Sequence, residues 1–139
     1  MTDANTIMLD GPEVYEEGIL DTAALPGMNI VLGTDGNFDP GADAAEGNIS
    51  RIVIEDALQG KTVSQTYAIA DRVRYIIPRK GQRVAVLVLD GQTVTKGSLL
   101  VANAAGKYIV ETAEGVATFE AIEAAAPSGS DALVAVRAI

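Results

Sequence analysis

The chain has 139 residues, carries a formal net charge of −9 and contains neither cysteine nor histidine. Without cysteine there is no disulfide and no thiolate metal site. Without histidine the commonest general base and transition-metal ligand is missing, so hydrolases of the Ser/His and Cys/His types are excluded. An apolar share of 48% supports one core, but with two Phe, four Tyr and no Trp its filling must be Val, Ile, Leu and Ala, which suits β-structure.

Residues 1–60 hold twelve acids and one base, Arg51, while residues 61–139 hold seven acids and nine bases. A nucleic-acid reader needs a cationic face. The one cluster of bases, Arg72, Arg74, Arg79, Lys80 and Arg83, is small enough to be solvated or paired with the acidic half. Nucleic acid is therefore not an expected partner. The opening MTDANTIMLDGPEVYEEG lacks the basic and long apolar regions of a signal peptide, and no run approaches the ~18 apolar residues of a membrane span. The expectation is a protein with no membrane partner that is not exported by that route.

Residues 1–25 show no sustained periodicity. Their apolar residues, among them Ile7, Met8, Leu9, Val14, Tyr15, Ile19 and Leu20, are too scattered to bury a face by themselves, so this stretch is expected as a flexible N-terminal arm. The alternative is a first edge strand. An arm bearing Ile7, Met8 and Leu9 could add a strand to a partner's open sheet edge, because main-chain hydrogen bonds supply affinity there.

From Pro26 onward short apolar runs alternate with glycine-containing turns, the pattern of a β-rich domain over residues 26–139. Asn29 to Leu32 is the first predicted strand, closed by Gly33 and the Asp35-Gly36 turn. The following loop places oxygen ligands at Asp35, Asn37, Asp39, Asp43 and Glu46, the first, third, fifth, ninth and twelfth positions of a calcium-binding EF-hand loop. Its sixth position, where glycine makes the sharp turn, is Pro40, and no amphipathic helices flank it. A type I′ turn at Asp35-Gly36-Asn37 followed by a polar loop is the preferred reading, with calcium as the alternative.

Ile49 to Glu55 alternates and predicts a second strand, ended at Gly60-Lys61. Thr62 to Ala70 is ambiguous, since Val63, Tyr67 and Ala70 make only a weak helical stripe. Arg72 to Ile77 alternates charge with Val73, Tyr75 and Ile77, as a half-buried strand does. Pro78 to Gln82 is a polar turn. Arg83 to Leu89 is the most hydrophobic run and is expected to be central, buried on both faces. Asp90-Gly91 then signals a hairpin. Val94 and Leu99 to Val101 continue the sheet, Gly106 turns it, and Lys107 to Thr112 and Leu133 to Ile139 are further strands. In Val116 to Ala126, Val116, Phe119 and Ile122 fit a helix, while flanking glycines favour a strand.

Three phrases carry a resemblance. The first is the short strand and Asp-Gly turn from Gly27 to Gly36. The second is Tyr67 with Asp71 before an alternating strand to Ile77. The third is Leu87, Gly91, Gln92, Val94, Lys96, Gly97 and Leu99, followed by an Ala-rich segment and a Val-x-Val-Arg end. This order resembles the head-decoration (capsid cement) proteins of tailed phages, of the lambda decoration-protein kind. Many relatives carry Gly-Asp where this chain has Ala70-Asp71, and the loop from Asp35 to Glu46 is longer than the resemblance leads one to expect. The third phrase is also superficially similar to biotinyl and lipoyl carrier domains, but Lys61, Lys80 and Lys107 stand in no carrier context.

The decoration-protein resemblance implies a mainly β, small β-barrel or β-tulip domain, and it favours a strand over Val116 to Ala126. It implies a structural protein with no catalytic site and no cofactor, bound as homotrimers at three-fold positions on the outer surface of an expanded virion head. The major capsid protein would be its partner. The arm would run over the shell, with Ile7, Met8, Leu9, Val14 and Tyr15 as contacts and Asp3, Asp10, Glu13, Glu16 and Glu17 facing basic residues. The rival class is a small calcium-stabilised binding or adhesion module.

Overall fold

A computed structural model describes residues 6–9, 15–43, 49–56, 59–111 and 117–139. Ten strands form among them: β1 (Tyr15–Ile19), β2 (Ile30–Leu32), β3 (Phe38–Pro40), β4 (Ile52–Val53), β5 (Arg72–Ile76), β6 (Arg83–Val88), β7 (Leu99–Ala102), β8 (Tyr108–Val110), β9 (Phe119–Ala121) and β10 (Ala132–Ala138). The fold is mainly β, as the sequence pattern predicts. Five strands close a barrel in the order β10-β6-β8-β7-β9, beside a three-stranded sheet β1-β5-β4 and the β2-β3 ribbon.

The longest ladder is antiparallel β6–β10, running from Ala132 opposite Val88 to Arg137 opposite Arg83. Branched side chains dominate both strands, and Val84 to Val88 is continuously buried. Alternation along β6 sends Val84, Val86 and Val88 to the barrel core and Leu87 to a second core behind the three-stranded sheet. One strand thus serves two hydrophobic clusters, the physical meaning of its unbroken apolar run.

The barrel core is filled around Leu100, Tyr108, Phe119, Val134 and Val136, with Tyr108 and Phe119 meeting edge to face at 5.4 Å. The second core gathers Leu20, Ile30, Phe38, Val53, Tyr67, Val73 and Tyr75. Buried Asn29 links the β2-β3 ribbon to the rest, donating from Nδ2 to the Gly41 carbonyl at 2.8 Å and accepting from the Arg51 N–H at 2.9 Å.

Several expectations change. The stretch read as an arm is built into the domain wherever it is described: Tyr15–Ile19 pairs along β5, Leu20 is fully buried in the second core, and Ile7 is fully buried in the barrel core. The reason is tertiary. These apolar residues cannot form a face with one another, but each fills a gap left by strands elsewhere in the chain. At the β2-β3 turn only Gly36 takes a left-handed φ, +86°, and the Gly36 N–H donates to the Gly33 carbonyl. A type I′ turn needs two adjacent positive φ values, so this is a type I turn closed by a left-handed glycine, with Asp35 kept at ordinary φ. The Asp90-Gly91 turn forms, Gly91 having φ +88°, but no β6-β7 hairpin follows. The Leu89 N–H instead donates to Tyr108 and the Gly91 N–H to Pro127, because β6 already has β10 and β8 as neighbours. Thr62 to Ala70 is irregular, tied to the second core through the Tyr67–Ala24 bridge.

Candidate functional site

Two places were singled out by the sequence, the loop from Asp35 to Glu46 and the early apolar residues. The loop is divided by the fold. Asp35 and Asp39 stay near the surface beside Asp21, and Asn37 donates from Nδ2 to Asp21 at 3.0 Å while its N–H donates to Asp35 at 3.0 Å. Thr22 donates to Asp39 at 2.7 Å. The Asp21 and Asp35 carboxyls hydrogen-bond each other: that contact pushes Asp21 above the usual carboxylate range and holds Asp35 below it.

Asp43 is removed from this group altogether. It lies fully buried, accepting from the Thr118 hydroxyl at 2.6 Å, the Ser50 hydroxyl at 3.2 Å and the Ala102 N–H at 3.3 Å. Burial pushes its carboxyl up, and these donors pull it partly back. The nearby Tyr108 hydroxyl is also buried, and burial together with the charge of Asp43 pushes its pKa up. A carboxylate held this way pins the segment after β3 to β7 and the entry to β9. It is not part of a calcium shell with Asp35 and Asp39, and no group of acids able to hold a metal ion is found among the described residues. Glu46 lies outside the described residues.

The early apolar residues also separate. Ile7 is core, its carbonyl accepting from the Ala85 N–H at 2.8 Å and its own N–H donating to Glu55 at 3.0 Å. Met8 bridges Val84 and the Leu9 N–H donates to Arg83. Intramolecular partners thus occupy Ile7, Met8 and Leu9. Val14 lies outside the described residues.

Tyr15 is different. It is 48% exposed at the start of β1, with the Arg74 guanidinium 4.1 Å from its ring centroid. Alternation puts Tyr15, Glu17 and Ile19 on the outward face of β1, away from Gly18, where a Cβ would stand 2.4 Å from the Phe38 ring. Arg72 of β5 pairs with Glu17 at 3.0 Å.

Ile69 lies in the turn that packs against Leu20, just past the end of β1, and is 67% exposed, the largest exposure of any large hydrophobic residue described. Its turn is braced. The Ala68 N–H donates to Asp71 Oδ2 at 2.7 Å and the Ala70 N–H to the Leu20 carbonyl at 2.8 Å. Ala70 sits at φ +70°, alone among the described non-glycine residues in the left-handed region. That is the position where the decoration-protein resemblance has glycine. A rigid, mildly strained turn thus presents Ile69 to solvent. Exposed Tyr15 with Arg74 over its ring pairs two residue types enriched at protein interfaces. Sequence reasoning missed Ile19 and Ile69 as surface residues, although the mismatch at Ala70-Asp71 marked the turn.

Two cavities flank the cores. One of about 380 Å³ is lined by Leu25, Pro26, Val63, Leu87 and Leu133 with Asp131 at its edge. There Asp131 pairs with Lys107 at 2.7 Å. The other, about 290 Å³, lies between Ile49, Ile77, Pro78, Lys80 and Ile139.

No family model and no curated protein matches the chain. Among solved structures it is similar to the head fiber gp8.5 N base of bacteriophage phi29, with a TM-score of 0.61, covering 92% of this chain and 95% of that one. Sequence identity is 13%, so the fold is what is shared. The comparison supports a coarser statement than the resemblance to lambda-type decoration proteins: this chain has the fold of a protein from a phage head.

Proposed function

We propose that this chain is a structural protein of a tailed-phage head that binds the outer surface of the expanded shell, as trimers at three-fold positions, and stabilises it. The observation that carries the reading is the fold shared almost end to end with the phi29 head fiber base, 92% of this chain against 95% of that one. The outward face of β1 and β5 is the surface that meets the major capsid protein, through Tyr15, Ile19 and Ile69 with Arg72 and Arg74 around them. Burying such aromatic and aliphatic anchors inside a charged rim is how most binding energy is gained at protein interfaces. No bond-making chemistry is needed. A protein that binds only the assembled, expanded lattice stabilises it by RT ln(1 + [L]/Kd), and many copies sum to a large resistance to internal pressure.

Co-sedimentation with expanded, undecorated cognate heads tests this. Saturable binding at one trimer per three-fold site is expected, with Ile69→Ser and Tyr15→Ala weakening it while leaving the fold intact. Folded protein that stays in the supernatant at all concentrations overturns the proposal.

A further inference from the structure

The two ends of β5 carry opposite charge. Beyond Ile76, the turn at residues 78–82 and the ends of β6 and β10 bring Arg79, Lys80, Arg83 and Arg137 together. Arg83 and Arg137 are directly opposite in the ladder, and the Gly81 N–H donates to the Ala138 carbonyl at 2.8 Å. All four side chains are exposed, and Arg79, Lys80 and Arg137 form no ion pair among the described residues. Like charges directly opposite one another cost a sheet stability. Against this cationic end lies the cavity of about 290 Å³, where Ile49 and Ile139 are 44% and 51% exposed.

The other end of β5 is acidic. The Leu20 N–H donates to Asp71 and the Asp21 N–H to Phe38, which sets the β2-β3 turn beside Arg72, the first residue of β5. Its tip carries exposed Leu32 with Asp35 and Asp39, and no cation pairs with Asp21, Asp35 or Asp39 among the described residues. From Arg72 to Arg79 an extended chain covers roughly 23 Å at about 3.3 Å per residue, so the two ends are separate surfaces.

We propose that the cationic groove receives the β2-β3 tip of a second copy, so that copies associate head to tail. Leu32 enters between Ile49 and Ile139, while Asp35 and Asp39 meet Lys80 and Arg79. The charge complementarity commits the groove to this partner: among the described residues Arg79 and Lys80 have no acidic partner, and Asp35 and Asp39 have no cationic one. Such a contact is heterologous, the kind that closes into a ring when the rotation allows. The inference rests on the trimeric reading above and deepens it by naming the surfaces that meet.

Sedimentation velocity of the full chain over a concentration series tests it. At an ionic strength of about 0.01 M, where screening is weak, the parent is expected to sediment as a trimer and to dissociate as salt is raised. Arg79→Glu with Lys80→Glu, and separately Asp35→Lys with Asp39→Lys, should each weaken association at least about tenfold, with far-UV circular dichroism confirming the fold. An equimolar mixture of the two variants should associate again, in open or even-membered assemblies, because in every contact between unlike variants a reversed tip meets a reversed groove or a native tip a native groove. Ile139→Ser, at an exposed site outside the core, should also weaken it. A monomeric parent at every concentration, variants that associate like the parent, or a mixture that stays monomeric overturns the inference. Head co-sedimentation separates the two proposals. Self-association through these surfaces with no affinity for heads removes the capsid reading alone, and head binding by a chain that is monomeric in solution removes this inference alone.

Discussion

Ile7 and Leu20 decide whether the beginning of the chain is an appendage or part of the fold. Both side chains are fully buried, Ile7 in the barrel core and Leu20 in the second core. Truncating a buried Ile or Leu to Ala typically costs about 2–5 kcal/mol, transfer and cavity terms together. The two residues share no cluster, so their effects should add, to about 4–10 kcal/mol for the double variant. A chain of 139 residues has a total stability of about 7–21 kcal/mol at roughly 0.05–0.15 kcal/mol per residue. Ile7→Ala should therefore lower the urea midpoint by about 1–2.5 M at a slope of roughly 2 kcal/mol per M. Ile7→Ala with Leu20→Ala should lower it by about 2–5 M. Far-UV circular dichroism through a urea titration reads both, since the chain has no Trp. A midpoint for Ile7→Ala within about 0.2 M of the parent would refute the reasoning and return residues 6–9 to the status of a detachable arm.

Asp43→Ala strands the Thr118 and Ser50 hydroxyls and the Ala102 N–H, and should cost about 2–4 kcal/mol, measured by urea unfolding. Because burial raises the Asp43 pKa in the folded state, its stabilising contribution is present below the ordinary carboxylate pKa and is lost as pH rises through the folded value. The parent should therefore gain on Asp43→Asn as pH falls through that window, and a pH-independent difference in midpoint would contradict this. Ala70→Gly should stabilise by about 0.5–1 kcal/mol, the relief of a left-handed alanine offset by glycine's backbone entropy; a loss of melting temperature would show that the turn is not strained. Gly106→Ala should lower stability by more than about 2 kcal/mol, because at φ +79° its Cβ would stand 2.5 Å from the Asn29 carbonyl oxygen. Unfolding of that variant at the parent's midpoint would show that the close approach relaxes at no cost.

What the sequence made legible was local. The unbroken apolar run at Arg83 to Leu89 announced a strand with two covered faces, and the alternation at Arg72 to Ile77 announced β5. The Asp90-Gly91 pair specified a turn but not the partner of the strand before it, because closure brings β10 to β6 from far along the chain. Ile7 and Leu20 carry no periodic signal, and their burial is defined by surfaces that exist only once residues 52–88 have folded. Asp43 looked like a ligand position because the donors that claim it, Ser50, Ala102 and Thr118, lie 7, 59 and 75 residues away. On the outward face of β1, Tyr15 was named only as an arm contact implied by the resemblance, whereas the exposure of Ile69 depended on the conformation of Ala70.

The segment around Ile7 and the strand β10 lie on opposite sides of β6, the Ala85 N–H donating to the Ile7 carbonyl while Ala135 of β10 stands opposite Ala85 in the ladder on the other flank. β6 is therefore incomplete on a nascent chain until residues 132–138 leave the ribosome. Contacts this distant in sequence must pay for loop closure before they are rewarded, which predicts refolding in milliseconds to seconds rather than microseconds. Synthesis thus supplies the Ile7 flank of β6 well before the β10 flank, and a ribosome stalled before residue 132 holds a barrel that cannot close.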